Sequence, residues 1–253
     1  MSGIVVCPVR FTEQIKAMQA FLETLGLRPR IESEGGSWVD MVAGGGMVGL
    51  HTVETSVTGA VPGETSLSFE ADDVGELAAR LTAAGVADVS VYDEAYGRVL
   101  SCRDPLGDLI LVNERSEDLY GYRLHGGQPV SDLRVVPVRF TDPRGPVGDW
   151  LETLGLSLVG EANDSYVMFA AAEGDHGYVG VHRVYTDELP IVARPNAVQL
   201  TFTTSESIDD VALRLVTAGY DDATVLRENV GPMLTVTDPD GCEVQVHRAA
   251  APA

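Results

Sequence analysis

Val9-Arg10-Phe11-Thr12, followed ten residues on by Leu22-Glu23-Thr24-Leu25-Gly26-Leu27, decides how this chain folds, because the pattern occurs twice. Val138-Arg139-Phe140-Thr141 leads to Leu151-Glu152-Thr153-Leu154-Gly155-Leu156, each residue 129 positions after its first copy (139 − 10). A pattern of this length repeated at one fixed offset marks an internal duplication, and the fold has to be read as one.

Working outward from the first copy, residues 4–11 form an apolar run that reads as a strand. Thr12 reads as a helix N-cap. Ile15, Met18, Phe21, Leu22 and Leu25 then recur at helical spacing, and Gly26 stands at the C′ position. Candidate strands follow at 27–32, 38–43 and 47–53, separated by Gly35-Gly36 and Gly44-Gly45-Gly46. After Val61-Pro62-Gly63 the same order starts again. Residues 66–71 read as a strand, and Asp73 with Glu76 opens a helix carrying Val74, Leu77, Leu81 and Ala84 on one face. Strands at 89–92, 98–102 and 109–112 complete the unit, with Asp104-Pro105-Leu106-Gly107 as the last turn.

The second half repeats this scheme, ending on Asp238-Pro239-Asp240-Gly241 as its last turn. Insertions raise the offset to 131 at His51/His182 and to 134 at Gly107/Gly241. The expectation is an α+β chain of four βαβββ modules in two domains, residues 1–115 and 133–250. The polar segment 116–132, without period, reads as the linker.

The 253 residues carry a formal charge of −21, with Lys16 as the only lysine. That balance argues against nucleic acid, whose binding needs clustered Lys and Arg, and against an anionic membrane surface. It reads as a solubility device, with capture of a cationic ligand as the other reading. No window approaches the roughly 18–20 apolar residues of a membrane span, and no basic-then-apolar leader opens the sequence. Cys7, Cys102 and Cys242 are odd in number and widely spaced, which fits a reducing cytoplasm better than a disulfide framework.

Four such modules resemble the vicinal oxygen chelate superfamily of glyoxalases, extradiol dioxygenases, and fosfomycin- and bleomycin-resistance proteins. The carriers are the two strand–helix openings ending in Leu-Gly-Leu, the second opening Leu67-Ser68-Phe69-Glu70-Ala71-Asp72-Asp73, and the DPxG turns before an apolar strand. The resemblance covers nearly the whole chain. It implies curved mixed sheets, paired modules that enclose a cup, and a small organic molecule as partner in that cup. It also implies a monomer or a homodimer.

Metal-dependent members place His, Glu or Gln on the first and last strands of each module. Carried over by strand alignment, those positions fall at Val6, Ser66, Val135 and Gln199, and near His51, Leu111, His182 and Gln245. This set lacks a carboxylate to balance a divalent cation. The expectation is therefore no metal and no cofactor, with a divalent metal as the alternative. Val6 at the ligand position puts Arg10 on the same strand face, and Arg139 likewise in the repeat. Similar glyoxalases hold a substrate carboxylate with an Arg at this place. The other reading of each Arg is an internal salt bridge.

His51 and His182 occupy equivalent Val-Gly-(Leu/Val)-His frames, and are candidates for polar contact or proton transfer. Trp38 and Tyr166 form the matching aromatic pair. Ligand-binding candidates are thus Arg10, Trp38, His51, Arg139, Tyr166, His182, Gln199 and Gln245. The functional expectation is a metal-independent protein of the glyoxalase/bleomycin-resistance type that sequesters an antibiotic or other organic ligand. The alternative is a lyase or isomerase using His51 or His182 with Arg10 or Arg139, with or without a metal.

Overall fold

The computed structural model describes residues 3–94, 96–116, 120–184, 198–228 and 231–249. The N-terminal half contains strands β1 (Ile4–Val6), β2 (Val9–Thr12), β3 (Arg28–Ser33), β4 (Trp38–Val42), β5 (Met47–Thr52), β6 (Thr65–Ser66), β7 (Ser68–Ala71), β8 (Ser90–Glu94), β9 (Gly97–Arg103) and β10 (Leu109–Glu114). Its helices are α1 (Ile15–Leu25) and α2 (Val74–Ala83). After β11 (Tyr122–Leu124), the C-terminal half contains β12 (Arg134–Phe140), α3 (Val147–Leu154), β13 (Ser157–Val159), β14 (Tyr166–Ala170), β15 (Tyr178–His182), β16 (Val198–Thr204), α4 (Ile208–Thr217), β17 (Thr224–Glu228), β18 (Gly231–Thr237) and β19 (Glu243–Arg248).

The element order repeats β-α-β-β-β, and the modules pair within each half. In the C-terminal half one sheet runs β13-β14-β15-β12-β16-β19-β18-β17, with the two module openings, β12 and β16, antiparallel at its centre. The N-terminal half shows the same order, broken at Cys7-Pro8 and Leu67 into a sheet β1-β7-β10-β9-β8 and a sheet β11-β3-β4-β5-β2-β6. The outermost strand of the latter is new. Residues 122–124, inside the segment read as an aperiodic linker, pair with β3. Three residues are too short to show a period, so the pairing carries no sequence signal. Residues 117–119 of that segment lie outside the described residues.

Local signals explain the helices. α1 buries Ile15, Met18, Phe21, Leu22 and Leu25 and stops at Gly26, whose φ of 113° is the left-handed cap. Thr12 stands ahead of the helix instead of capping it: Gln14 is the N-cap, and the Thr12 hydroxyl accepts from the Gln14 N–H at 2.8 Å. Asp73 caps α2 by accepting from Gly75 and Glu76 N–H.

The helices cover one face of each sheet, and their cores join across the halves. One core unites α1 and its strands with α4 and its strands; the other unites α2 with α3. Two arginines finish these contacts. Arg80 of α2 donates to the last-turn carbonyl of Leu154 in α3 at 2.9 Å, and Arg214 of α4 donates to Thr24 and Leu25 carbonyls of α1 at 2.8 and 3.2 Å. Each satisfies carbonyls that a helix C-terminus leaves without partners. The sheet faces turned away from the helices form two cups.

Candidate functional site

Strand parity decides what each cup holds. Val6 pairs opposite Phe69, and both lie in the core under α2; Val5 and Cys7 lie on the other face, with Met47 and Val42. The first cup therefore receives residues 5, 7, 9 and 11 of the opening strand. The second receives 134, 136, 138 and 140, with Val136 and Val138 beside Phe140, Tyr166 and Met168. Val6 and Val135 thus face the helices, one residue out of phase with the position expected for a ligand. Arg10 and Arg139 share that outward face.

Their side chains are buried between the halves. Arg10 Nη2 meets Asp238 Oδ2 at 2.6 Å, and Arg139 Nη2 meets Asp104 Oδ2 at 2.7 Å and also contacts Asp108. Of the two readings of each Arg the internal salt bridge is the one found, and the expectation that they reach into a cup is corrected. Both faces of the opening strands are buried, so apolar content could not assign the parity.

Two equivalent aromatic–histidine groups do occupy the cups. Phe11 and Trp38 both pair in register with His51, with ring centroids 5.6 and 5.5 Å from the imidazole. In the second cup Phe140 and Tyr166 flank His182 at 5.7 and 5.9 Å. The glycine of each Val-Gly-x-His frame is the seat of the larger ring. A Cβ at Gly49 would stand 2.8 Å from the Trp38 indole, and one at Gly180 would stand 2.7 Å from the Tyr166 hydroxyl. Each imidazole Nδ1 lies against a carbonyl, Thr52 at 2.6 Å and Arg183 at 2.7 Å. A carbonyl can only accept, so both rings carry their proton on Nδ1. Burial pushes the Tyr166 phenol up to about 12, so it stays a donor at neutral pH.

Beyond this shared group the cups differ. The first is charged. Arg30 Nη2 bridges Asp40 Oδ2 at 2.8 Å and Glu70 Oε2 at 2.5 Å, and Arg115 Nε holds the other Glu70 oxygen at 2.9 Å. The Trp38 indole N–H donates to Asp40 at 2.9 Å. Burial raises the Asp40 carboxyl against the pull of Arg30. Burial, reinforced by Asp40 and Glu70, keeps the Cys7 thiol well above its ordinary value and so unreactive. Tyr96 after β8 meets Tyr122 of β11 with centroids 6.3 Å apart, so the added strand brings the two sheet edges together across this cup.

The second cup carries a polar stripe on β19. Glu243, Gln245 and His247 alternate with the buried Val244 and Val246. Gln245 Nε2 donates to Glu243 Oε1 at 2.7 Å, Gln199 Nε2 reaches the same oxygen at 3.5 Å, and His247 Nε2 lies 3.2 Å from Gln245 Oε1. Gln199 and Gln245 thus belong to one group. His247 did not figure among the sequence candidates, although polar residues at every second place of an apolar strand were its signal.

A cavity of about 1000 Å³ opens between the halves and reaches both cups. Its walls include Arg10, Arg139, Thr65 and Cys242 at the seam, with Ser68 and Leu111 of the first cup and Phe140, Gln199 and Glu243 of the second.

No protein-family model and no curated protein matches the sequence. Solved structures do match. The Mn(II)-bound glyoxalase from Novosphingobium aromaticivorans superposes with a TM-score of 0.63 at 16% identity, over 99% of this chain and 89% of that one. A catechol 2,3-dioxygenase gives 0.64 at 12% identity, over 100% and 90%. The 2,3-dioxygenase LapB from Pseudomonas sp. KL28 gives 0.63 at 14% identity, over 100% and 93%. The chain has the fold of these glyoxalase and dioxygenase structures.

That fold raises the question of a metal, and the residues present do not fit one. Among the described residues no group of three or more His, Cys, Asp or Glu is placed to hold an ion. In the first cup the carboxylates of Asp40 and Glu70 already neutralise Arg30. In the second, the central strands offer Val136, Val138 and Thr201, and the single carboxylate beside them, Glu243, already accepts from the Gln245 amide at 2.7 Å, which is one charge and too few strong donors for a divalent cation. Among the described residues no helix is long and apolar enough to cross a membrane.

Proposed function

We propose that this chain binds and sequesters a small organic molecule in its second cup, without a divalent metal, as a protein of the glyoxalase/bleomycin-resistance type. The observation that carries the reading is the cavity of about 1000 Å³ that reaches Phe140, Gln199 and Glu243. Its size suits a drug-like ligand, and aromatic walls with a few convergent polar groups are the usual composition of such sites. Phe140 stands in the cavity wall, and Tyr166, Met168 and His182, which group with it, are also only partly buried. In the first cup the Arg30 network satisfies its own charges, which favours the second cup as the ligand site.

The enzymatic alternative relied on Arg10 or Arg139 to hold an oxyanion. With both locked to aspartates between the halves, that chemistry loses its electrophile, and sequestration is the better supported reading. Thermal denaturation of the purified chain across a panel of planar organic compounds tests it. A binder shows Tm rising with ligand concentration, and mass spectrometry recovers the compound unchanged. Recovery of a modified compound, with loss of turnover in His182→Ala, would establish the lyase instead.

A further inference from the structure

The stripe Glu243–Gln245–His247 on β19 enters the cavity wall only through Glu243, and it has a direction. A carboxylate only accepts, so the Gln245 amide must turn its Nε2 toward Glu243, as it does at 2.7 Å. That leaves Gln245 Oε1 facing His247, 3.2 Å from ring Nε2. An amide oxygen also only accepts, so Nε2 must carry the imidazole proton. The ring lone pair is thereby fixed on Nδ1, the opposite tautomer to that of His51 and His182. Among the described residues Nδ1 has no hydrogen-bond partner.

The surroundings keep this nitrogen neutral. In register beside His247 stand Met233 of β18 and Thr203 of β16, neither of them charged. Burial lowers the imidazole pKa below its ordinary value. Arg134, on β12 beyond β16, is turned to the Tyr178 hydroxyl at 3.1 Å and to Asp175. A half-buried, pre-oriented acceptor is thus presented beside Met233 and Thr203, in the stripe that also carries Glu243 and Gln245. An acceptor without a protein partner on this face favours a ligand that brings its own donor.

We infer that His247 Nδ1 is the hydrogen-bond acceptor for the ligand of the second cup, held in that tautomer by Gln245 and Glu243, and that the ligand is an organic molecule presenting a hydroxyl or N–H. This rests on the second cup being the ligand site. Within it, Glu243 and Gln245 are positioning residues that act through the imidazole.

The test pairs NMR of the full chain labelled with ¹⁵N-histidine with titration by two probes, indole and 1-methylindole, which differ by one N–H donor. The free protein is expected to show His247 with a protonated Nε2 and a bare Nδ1. Indole is expected to shift the Nδ1 resonance and to bind about tenfold more tightly than 1-methylindole, the ratio one hydrogen bond supplies. His247→Phe should bring the two probes to equal affinity. Glu243→Gln, which keeps the shape, should populate the Nδ1–H tautomer and narrow the ratio between the two probes. A native His247 protonated on Nδ1 overturns the inference, as does equal binding of both probes to the native chain. Failure of both probes to bind, with the expected tautomer in place, overturns the reading of the second cup itself and the ligand assignment with it.

Discussion

Arg10 and Asp238 meet at 2.6 Å with both side chains buried, and they come from the two motifs that the duplication repeats. Arg10 belongs to the opening Val-Arg-Phe-Thr, and Asp238 opens the last DPxG turn. Asp238 uses its two oxygens differently. Oδ1 accepts the N–H groups of Asp240 and Cys242 and shapes its own turn, while Oδ2 takes the guanidinium from the other half. Asp104 divides its work the same way, with Leu106 and Asp108 N–H on Oδ1 and Arg139 on Oδ2. The motifs that identify the fold are therefore also a reciprocal lock between its halves.

That lock predicts a strong asymmetry between single and paired substitutions. Arg10→Met leaves a carboxylate buried without its partner and is expected to cost about 3–5 kcal/mol. Combining it with Asp238→Asn, which keeps an oxygen for the turn, should recover a large part of that loss. Urea unfolding of the four members of the cycle measures the coupling. Additive costs would mean that the pair contributes nothing as a pair.

Gly49 and Gly180 are expected to tolerate no side chain. Alanine at either place drives a Cβ to within 3 Å of Trp38 or Tyr166, and the ring must leave its seat, at a cost of about 1–3 kcal/mol. Gly49→Ala should also change the environment of Trp38, one of two tryptophans in the chain. A red shift in fluorescence with lowered Tm is the expected outcome; an unchanged spectrum would show that the indole does not rest on Gly49.

The first cup should behave as charge-complete. Native protein purified without added metal is expected to contain no stoichiometric transition metal, and added Mn(II) is expected to leave its Tm unchanged. Arg30→Met strips Asp40 of its cation and leaves Glu70 with Arg115 alone. It should destabilise the chain by several kcal/mol at neutral pH, on the order of a broken buried pair. Near-stoichiometric metal by elemental analysis of the native chain, with a Tm that rises on adding it, would reverse this view of the cup.

The modules were legible because helix and turn signals are local. Gly26 and Gly155 stop helices where the apolar period ends, and Asp104 and Asp238 announce their turns four residues at a time. What escaped was set by distance or by uniform burial. Arg10 and Asp238 are 228 positions apart, and nothing in the neighbourhood of either names the other. Val5 and Val6 are both buried, one in each face, so composition could not say which one the cup receives. With that parity reversed, Arg10 and Arg139 leave the cups for the salt bridges that were their other reading. β19 was different. The alternation of Glu243, Gln245 and His247 with Val244 and Val246 is readable in the sequence, but of the three only Gln245 falls on a metal position of the family the chain resembles.

His247 gives the chain a pH dependence whose sign is fixed by burial. Its folded pKa lies below the ordinary value of about 6.5 for an exposed histidine, because the charged form loses hydration. Between the two values the unfolded chain binds more protons, so stability falls as pH drops below about 6.5 and the loss is complete once pH passes below the folded pKa. His247→Phe removes the titrating group and should flatten that limb while leaving the slope above pH 7 alone. Urea midpoints of both proteins between pH 5 and 8 are the measurement. If the two curves stay parallel through this range, His247 is as solvated in the native cup as in the unfolded chain.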